Sequence, residues 1–214
     1  DIIVEAPLGS RTKLTLPDGT LVWLNAGSRI TYSQGFGVGN RKIELIGEGY
    51  FEVKRNEEVP FLVKTNSLLV KVLGTKFNFR DYPDDAEAIV SLSEGKVALN
   101  NLLKKEKEAF LLPNERVVLN KKNGRMHVEY STVSNALQWT NGYLFFDEEL
   151  LPDVVKELER SYNVKIQIAS DTLNTFRFYG NFVHREQNIQ EVLEALSATR
   201  KIHYIIEGHN ITLY

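Results

Sequence analysis

Between Leu14 and Phe79 the chain is cut by tight-turn chemistry about every ten residues. The breaks are Pro17-Asp18-Gly19, Asn25-Ala26-Gly27-Ser28, Gly35-Phe36-Gly37-Val38-Gly39-Asn40, Gly47-Glu48-Gly49 and Gly74. Glycine adopts positive φ without a Cβ clash, and Asn, Asp and Pro preset turns. Short apolar-alternating segments lie between the breaks, which leaves no room for helices of ordinary length. The spacing predicts an all-β N-terminal part, a twisted sandwich or a solenoid-like roll of short strands.

Several local features sharpen that reading. Pro17 has no N–H for a two-residue hairpin, so a type I turn with Gly19 as a left-handed bulge residue is expected. This leaves the face taken by Trp23 open. Lys42–Ile46 should run on past Gly47-Glu48-Gly49 into Tyr50–Val53, the glycines marking a bulge that redirects the strand. Apolar residues fall on even positions at Leu68, Val70 and Val72, then on odd positions at Phe77 and Phe79. A strand has period two, so this phase change needs a corner, and Gly74 supplies it. Asn123-Gly124 is the strongest hairpin signal; a two-residue turn there pairs Leu119 with Val128 and Val117 with Tyr130.

The character changes near Trp139. Gly142–Asp147 reads as a strand, and Leu151, Val154, Val155, Leu158 and Tyr162 give helical spacing, with Pro152 in the first turn and Asn163 as a left-handed stop. Strands follow at Val164–Ile168 and Phe176–Val183. Asn188 and Glu191 have the spacing of a capping box ahead of Ile189, Val192, Leu193 and Leu196. Two further strands, Ile202–Ile206 and Asn210–Tyr214, flank a Gly208-His209 turn. The order βαββαββ predicts a small two-layer sandwich of split βαβ type. The fold class is therefore α+β, with an all-β domain over 1–138 and the smaller domain over 139–214.

Composition bounds function. Net charge is −2, with 19 Lys+Arg against 17 Asp+Glu through Asn135 and 7 against 11 from Ala136 onward. Neither part has the basic excess that neutralises a phosphate backbone, so nucleic acid is not an expected partner. The absence of cysteine removes disulfides, thiolate nucleophiles and Cys-ligated zinc. No apolar run is long enough to span a bilayer, and the start at Asp1 suggests a trimmed or processed segment.

Catalytic signatures are missing. The four histidines are His127, His184, His203 and His209. His203, expected opposite Tyr214, would lie ~13 Å from His209, too far to share a metal. Gly35–Gly39 precedes a strand rather than a helix, against a phosphate loop. Asp84-Asp85 and Asp147-Glu148-Glu149 read as solvated loop carboxylates. No cofactor, metal, catalytic group or small-molecule substrate is expected. Phe178, Tyr179 and Phe182 share a strand whose alternation cannot turn every aromatic to one core. Either both faces are covered, or a face or open edge accepts a partner strand. Ile211, Leu213 and Tyr214 on the last strand are the second candidate edge.

The segments Leu16–Ser28, Gly47–Val53, Pro60-Phe61 and Val72–Asn78 together resemble FecR-type anti-sigma regulators. Leu150–Val155, Glu157–Asn163 and Phe178–Phe182 resemble the secretin/TonB short N-terminal fold. The resemblance implies the periplasmic part of a regulator anchored in the inner membrane by an upstream helix. It also implies binding to the signalling domain of an outer-membrane TonB-dependent transducer. The sigma factor would be bound by a cytoplasmic domain absent from this chain. A carbohydrate-binding or carbohydrate-processing β domain is the alternative.

Overall fold

The computed structural model describes residues 1–214. The chain forms two compact units: Asp1–Pro7 with Arg11–Leu137, and Leu8–Ser10 with Gln138–Tyr214.

The first unit contains β1 (Ile2–Ala6), β2 (Thr12–Thr15), β3 (Leu21–Leu24), β4 (Ser28–Tyr32), β5 (Arg41–Glu52), β6 (Phe61–Lys64) and β7 (Leu68–Val72). After these come β8 (Lys76–Asp81), β9 (Glu87–Glu94), β10 (Val97–Asn101), β11 (Ala109–Leu111), β12 (Glu115–Asn120) and β13 (Met126–Tyr130), then a short α1 (Val133–Ala136).

Strand β5 belongs to two ladders. Its first half pairs with β4 and, in parallel, with β6; its second half pairs with β3 and β8. One sheet runs β1-β4-β5-β6-β7-β10-β11 and the other β2-β3-β5-β8-β9-β12-β13. Ile30, Ile43, Val63, Val70 and Leu99 of the first share a core with Val22, Phe51, Phe77, Val90 and Val117 of the second. The arrangement is a sandwich.

The change of partners occurs at Gly47, whose φ is +96°. A Cβ there would sit 2.4 Å from Ser28 Oγ, so both conformation and space demand glycine. No register shift interrupts any β5 ladder, so the redirection needs no bulge. Gly74 turns the chain from β7 in one sheet to β8 in the other. A Cβ on it would meet Arg55 Cβ at 2.7 Å, which makes close backbone approach the reason for glycine at this corner. Trp23 points away from the core that Val22 and Leu24 enter, and stacks obliquely on Tyr50 with centroids 5.3 Å apart.

The Asn123-Gly124 hairpin differs from expectation. Leu119 pairs with Met126 and Val117 with Val128, two residues out of the expected register. Asn120 Oδ1 accepts from the N–H groups of Lys122 and Asn123, and Asn120 N–H donates to Arg125 O. This side-chain turn widens the loop, with Gly124 in the left-handed region at φ +68°.

The second unit contains β14 (Tyr143–Leu150), α2 (Leu151–Tyr162), β15 (Lys165–Ile168), β16 (Arg177–Val183), α3 (Ile189–Ser197), β17 (Tyr204–Glu207) and β18 (Asn210–Leu213). Pro152 lies in the first turn of α2, and Asn163 ends that helix at φ 51°. Asn188 caps α3 with the reciprocal Glu191 contact present. Instead of one sheet there are two: an antiparallel β14–β16 ribbon and a β15-β18-β17 sheet. Phe146, Phe178 and Phe182 from the ribbon share a core with Ile166, Ile211 and Leu213 from the other sheet. Helix residues Leu151, Val154, Leu158, Val192, Leu193 and Leu196 complete it. The apolar stripes of the two helices are thus covered from two sheets, which a single split βαβ layer would not do.

Candidate functional site

The turn-rich segments of the first unit converge on buried polar contacts. Glu48 is only 4% exposed. Its Oε2 accepts from Asn25 Nδ2 at 2.9 Å and its Oε1 from Asn78 Nδ2 at 2.8 Å, while Arg80 Nη1 lies 3.5 Å from Oε2. Glu48 N–H donates to Ser28 Oγ at 2.8 Å, the Ser28 hydroxyl donates to Tyr82, and the Tyr82 hydroxyl donates to Ala26 O. Asp18 accepts from the N–H and hydroxyl of Thr20 and pairs with buried Arg41 at 3.1 Å. Arg41 also donates to the carbonyls of Val59, Lys54 and Asn56. A buried charge is tolerated when partners satisfy it. These groups tie loops to strands, and both Glu48 oxygens are occupied.

Electrostatic shifts in this unit follow local contacts. Burial, helped by Glu52, pushes the Tyr50 hydroxyl up to about 12. Glu94 raises Lys76, Asn101 with Lys104 lowers Glu106, and Arg116 lowers Glu129. Asp85 is not simply solvated: it accepts from Arg80 Nε at 2.9 Å. No group of three or more His, Asp or Glu side chains converges as a metal site.

The sequence-derived partner residues separate into two sets. Phe178, Phe182, Ile211 and Leu213 are core residues. The Phe178 and Phe182 rings stack 6.1 Å apart over Gly180, where a Cβ would meet Phe178 at 2.7 Å. The last strand is not an open edge, because β18 pairs with β15 on one side and β17 on the other. Tyr179 and Tyr214 are exposed, Tyr179 at 66%.

Tyr179 stands beside a bulge. The β14–β16 register shifts between Phe146 and Glu149, and Glu148 takes φ 52°. The Tyr179 ring meets Phe145 edge-on, with centroids 6.1 Å apart. His184 N–H donates to Gly142 O across the ribbon at 2.9 Å. Antiparallel bonding alternates, so the N–H and C=O groups of Leu144 and Phe146 also face β16, and those of Tyr143 and Phe145 face the open side. The ribbon therefore offers an aromatic face and a free strand edge together. Alternation in the sequence signals the aromatics, whereas the free edge of β14 follows only from the pairing.

The first unit thus holds buried polar ties, and the second sets exposed Tyr179 beside the outer edge of β14. Residues 3–98 match the FecR protein family and residues 143–213 match the FecR C-terminal family. Two crystal structures of a "putative anti-sigma factor" from Parabacteroides distasonis ATCC 8503, at 1.65 and 2.50 Å resolution, are similar to this chain. Each is 33% identical with a TM-score of 0.90, and the match covers 100% of this chain and 98% of the other. No curated protein matches in sequence. The chain belongs to the FecR family, and its role is regulatory signalling. No helix is long and apolar enough to cross a membrane.

Proposed function

We propose that this chain is the periplasmic signal-relay part of a membrane-anchored anti-sigma regulator. In this reading its second unit, a domain of the secretin/TonB short N-terminal kind, receives the N-terminal signalling domain of an outer-membrane TonB-dependent transducer. Occupancy of the transducer is passed to an extracytoplasmic-function sigma factor through a cytoplasmic domain outside this chain. The reading rests on FecR family membership. The observation that carries the docking mode is the β14–β16 ribbon, where exposed Tyr179 and half-buried Phe145 lie beside the outward backbone groups of Tyr143 and Phe145. A partner strand adding to β14 gains main-chain hydrogen bonds, and the aromatics supply contact area.

Calorimetric titration with the signalling domain of the cognate transducer tests it. Tyr179→Ala should weaken binding about tenfold, in line with a loss of 1–2 kcal/mol for an aromatic anchor. Tyr143→Pro should weaken it further by removing an edge N–H that the intramolecular ladder does not use. Wild-type affinity in both variants would discard the ribbon as the docking surface, and no binding by the unmodified chain would discard the transducer reading.

A further inference from the structure

The edge of β17 carries a second, independent signal. His203 N–H donates to Tyr214 O at 2.9 Å and Tyr214 N–H to His203 O at 3.0 Å. Alternation then turns the N–H and C=O groups of Ile205 and Glu207 toward β18 and leaves those of Tyr204 and Ile206 facing outward. On β15 and β16 of this unit, edge amides are occupied by side chains: Ile166 N–H donates to Glu159 Oε1 at 2.9 Å, and Val183 N–H to Gln187 Oε1 at 2.8 Å. No side chain does this for Tyr204 or Ile206. Ile205 is 50% and Ile206 38% exposed. An uncapped edge with exposed isoleucines is what sheet proteins ordinarily avoid.

The edge is also complementary to itself. Consider two antiparallel copies of β17 related by a twofold axis perpendicular to the sheet. Residues opposite each other must share a face, which requires their numbers to have an even sum. Centring the axis on Ile205 sets Ile205 against Ile205, Tyr204 against Ile206 and His203 against Glu207. In this register the outward groups of Tyr204 meet those of Ile206 as hydrogen-bonded pairs. One side of the junction is made of Tyr204 and Ile206 from both copies. The other places a carboxylate opposite an imidazole at each end, with the two Ile205 side chains between them.

We propose that β17 pairs with β17 of a second copy of this chain in this register, giving a sheet continuous across both copies. The proposal goes beyond the transducer reading and uses a different edge, so either can fail alone. The chain has no cysteine, which makes single-cysteine variants unambiguous. In a non-hydrogen-bonded antiparallel pair the Cα atoms lie roughly 4.5 Å apart, within disulfide range. Ile205→Cys should therefore link to itself across the axis under mild oxidant. Ile206→Cys should not, because its own counterpart is a diagonal neighbour roughly 7–8 Å away.

The experiment compares oxidative dimer formation by the two full-length variants on a non-reducing gel, with circular dichroism confirming that both are folded. The expected result is at least ~10-fold faster linkage for Ile205→Cys, abolished when Ile206→Pro is added. Equal rates for the two variants, or no linkage of Ile205→Cys, would overturn the register and the association with it.

Discussion

Both units have edge strands, β1, β2, β11 and β13 in the first and β14 and β17 among those of the second, but the first holds most of the buried polar side chains. In the first, polar groups of the turn-rich segments are buried and partnered, from Asp18 with Arg41 to Glu48 with Asn25 and Asn78. In the second, backbone groups on β14 and β17 face outward with no strand beside them. The contrast teaches that the densest family-like motifs can serve buried contacts rather than surface. They mark where a long strand must change sheets, and a buried carboxylate there holds three segments in register. In the proposed reading, recognition falls instead to the β14–β16 ribbon, whose sequence is less distinctive.

Breaking the buried side of the comparison should have the largest effect. Glu48→Ala removes the acceptor of two buried amides and should cost the first unit about 3 kcal/mol or more. Gly47→Val, which combines a positive φ with the Ser28 clash, should cost at least as much. Both would appear as lowered urea midpoints. Unchanged midpoints would show that the cluster is not what fixes the crossing.

Tyr50 gives a pH-dependent version of the same test. Its folded value of about 12 lies above the unfolded value of 10. Stability is therefore fully present below pH 10 and falls as pH rises from 10 to 12, by roughly 2–3 kcal/mol. Tyr50→Phe should flatten this part of the alkaline unfolding profile. A profile as steep as that of the unmodified chain would contradict burial as the cause.

In the second unit, loss of the Asn188 cap should be milder. Asn188→Ala is expected to lower stability by about 1 kcal/mol, read from the thermal transition. Smallest of all should be Ile205→Lys on the open edge, within about 0.5 kcal/mol, since it leaves the core untouched while placing a charge at the junction between copies. A large loss there would mean that the edge is part of the fold rather than a surface.

Features set by neighbours in sequence were legible from the sequence. The Gly74 corner follows from a parity change between Val72 and Phe77, the α3 capping box from Asn188 and Glu191, and the stop of α2 from Asn163. Each depends on a few adjacent residues and on rules of sterics or period. The hairpin register was not legible, because the Asn120 side chain competes with Asn123-Gly124 for control of the loop. The position of β18 was not legible either. Its parallel pairing with β15 joins Lys165 to Asn210, and local patterning carries no trace of so distant a partner. That pairing converts the last strand from an expected edge into a centre and moves the open edge to β17. For Phe178, Tyr179 and Phe182, alternation showed that they divide between two faces, but only the two-sheet core decided which face was covered.

In the proposed reading the second unit carries the docking surface and the first supplies the scaffold. Hydrogen exchange of the full chain, with and without the transducer's signalling domain, tests this most directly. The outward amides of Tyr143 and Phe145 should exchange freely alone and become protected in the complex, with the first unit unchanged. Protection confined to the first unit, leaving those two amides as fast as before, would contradict the account.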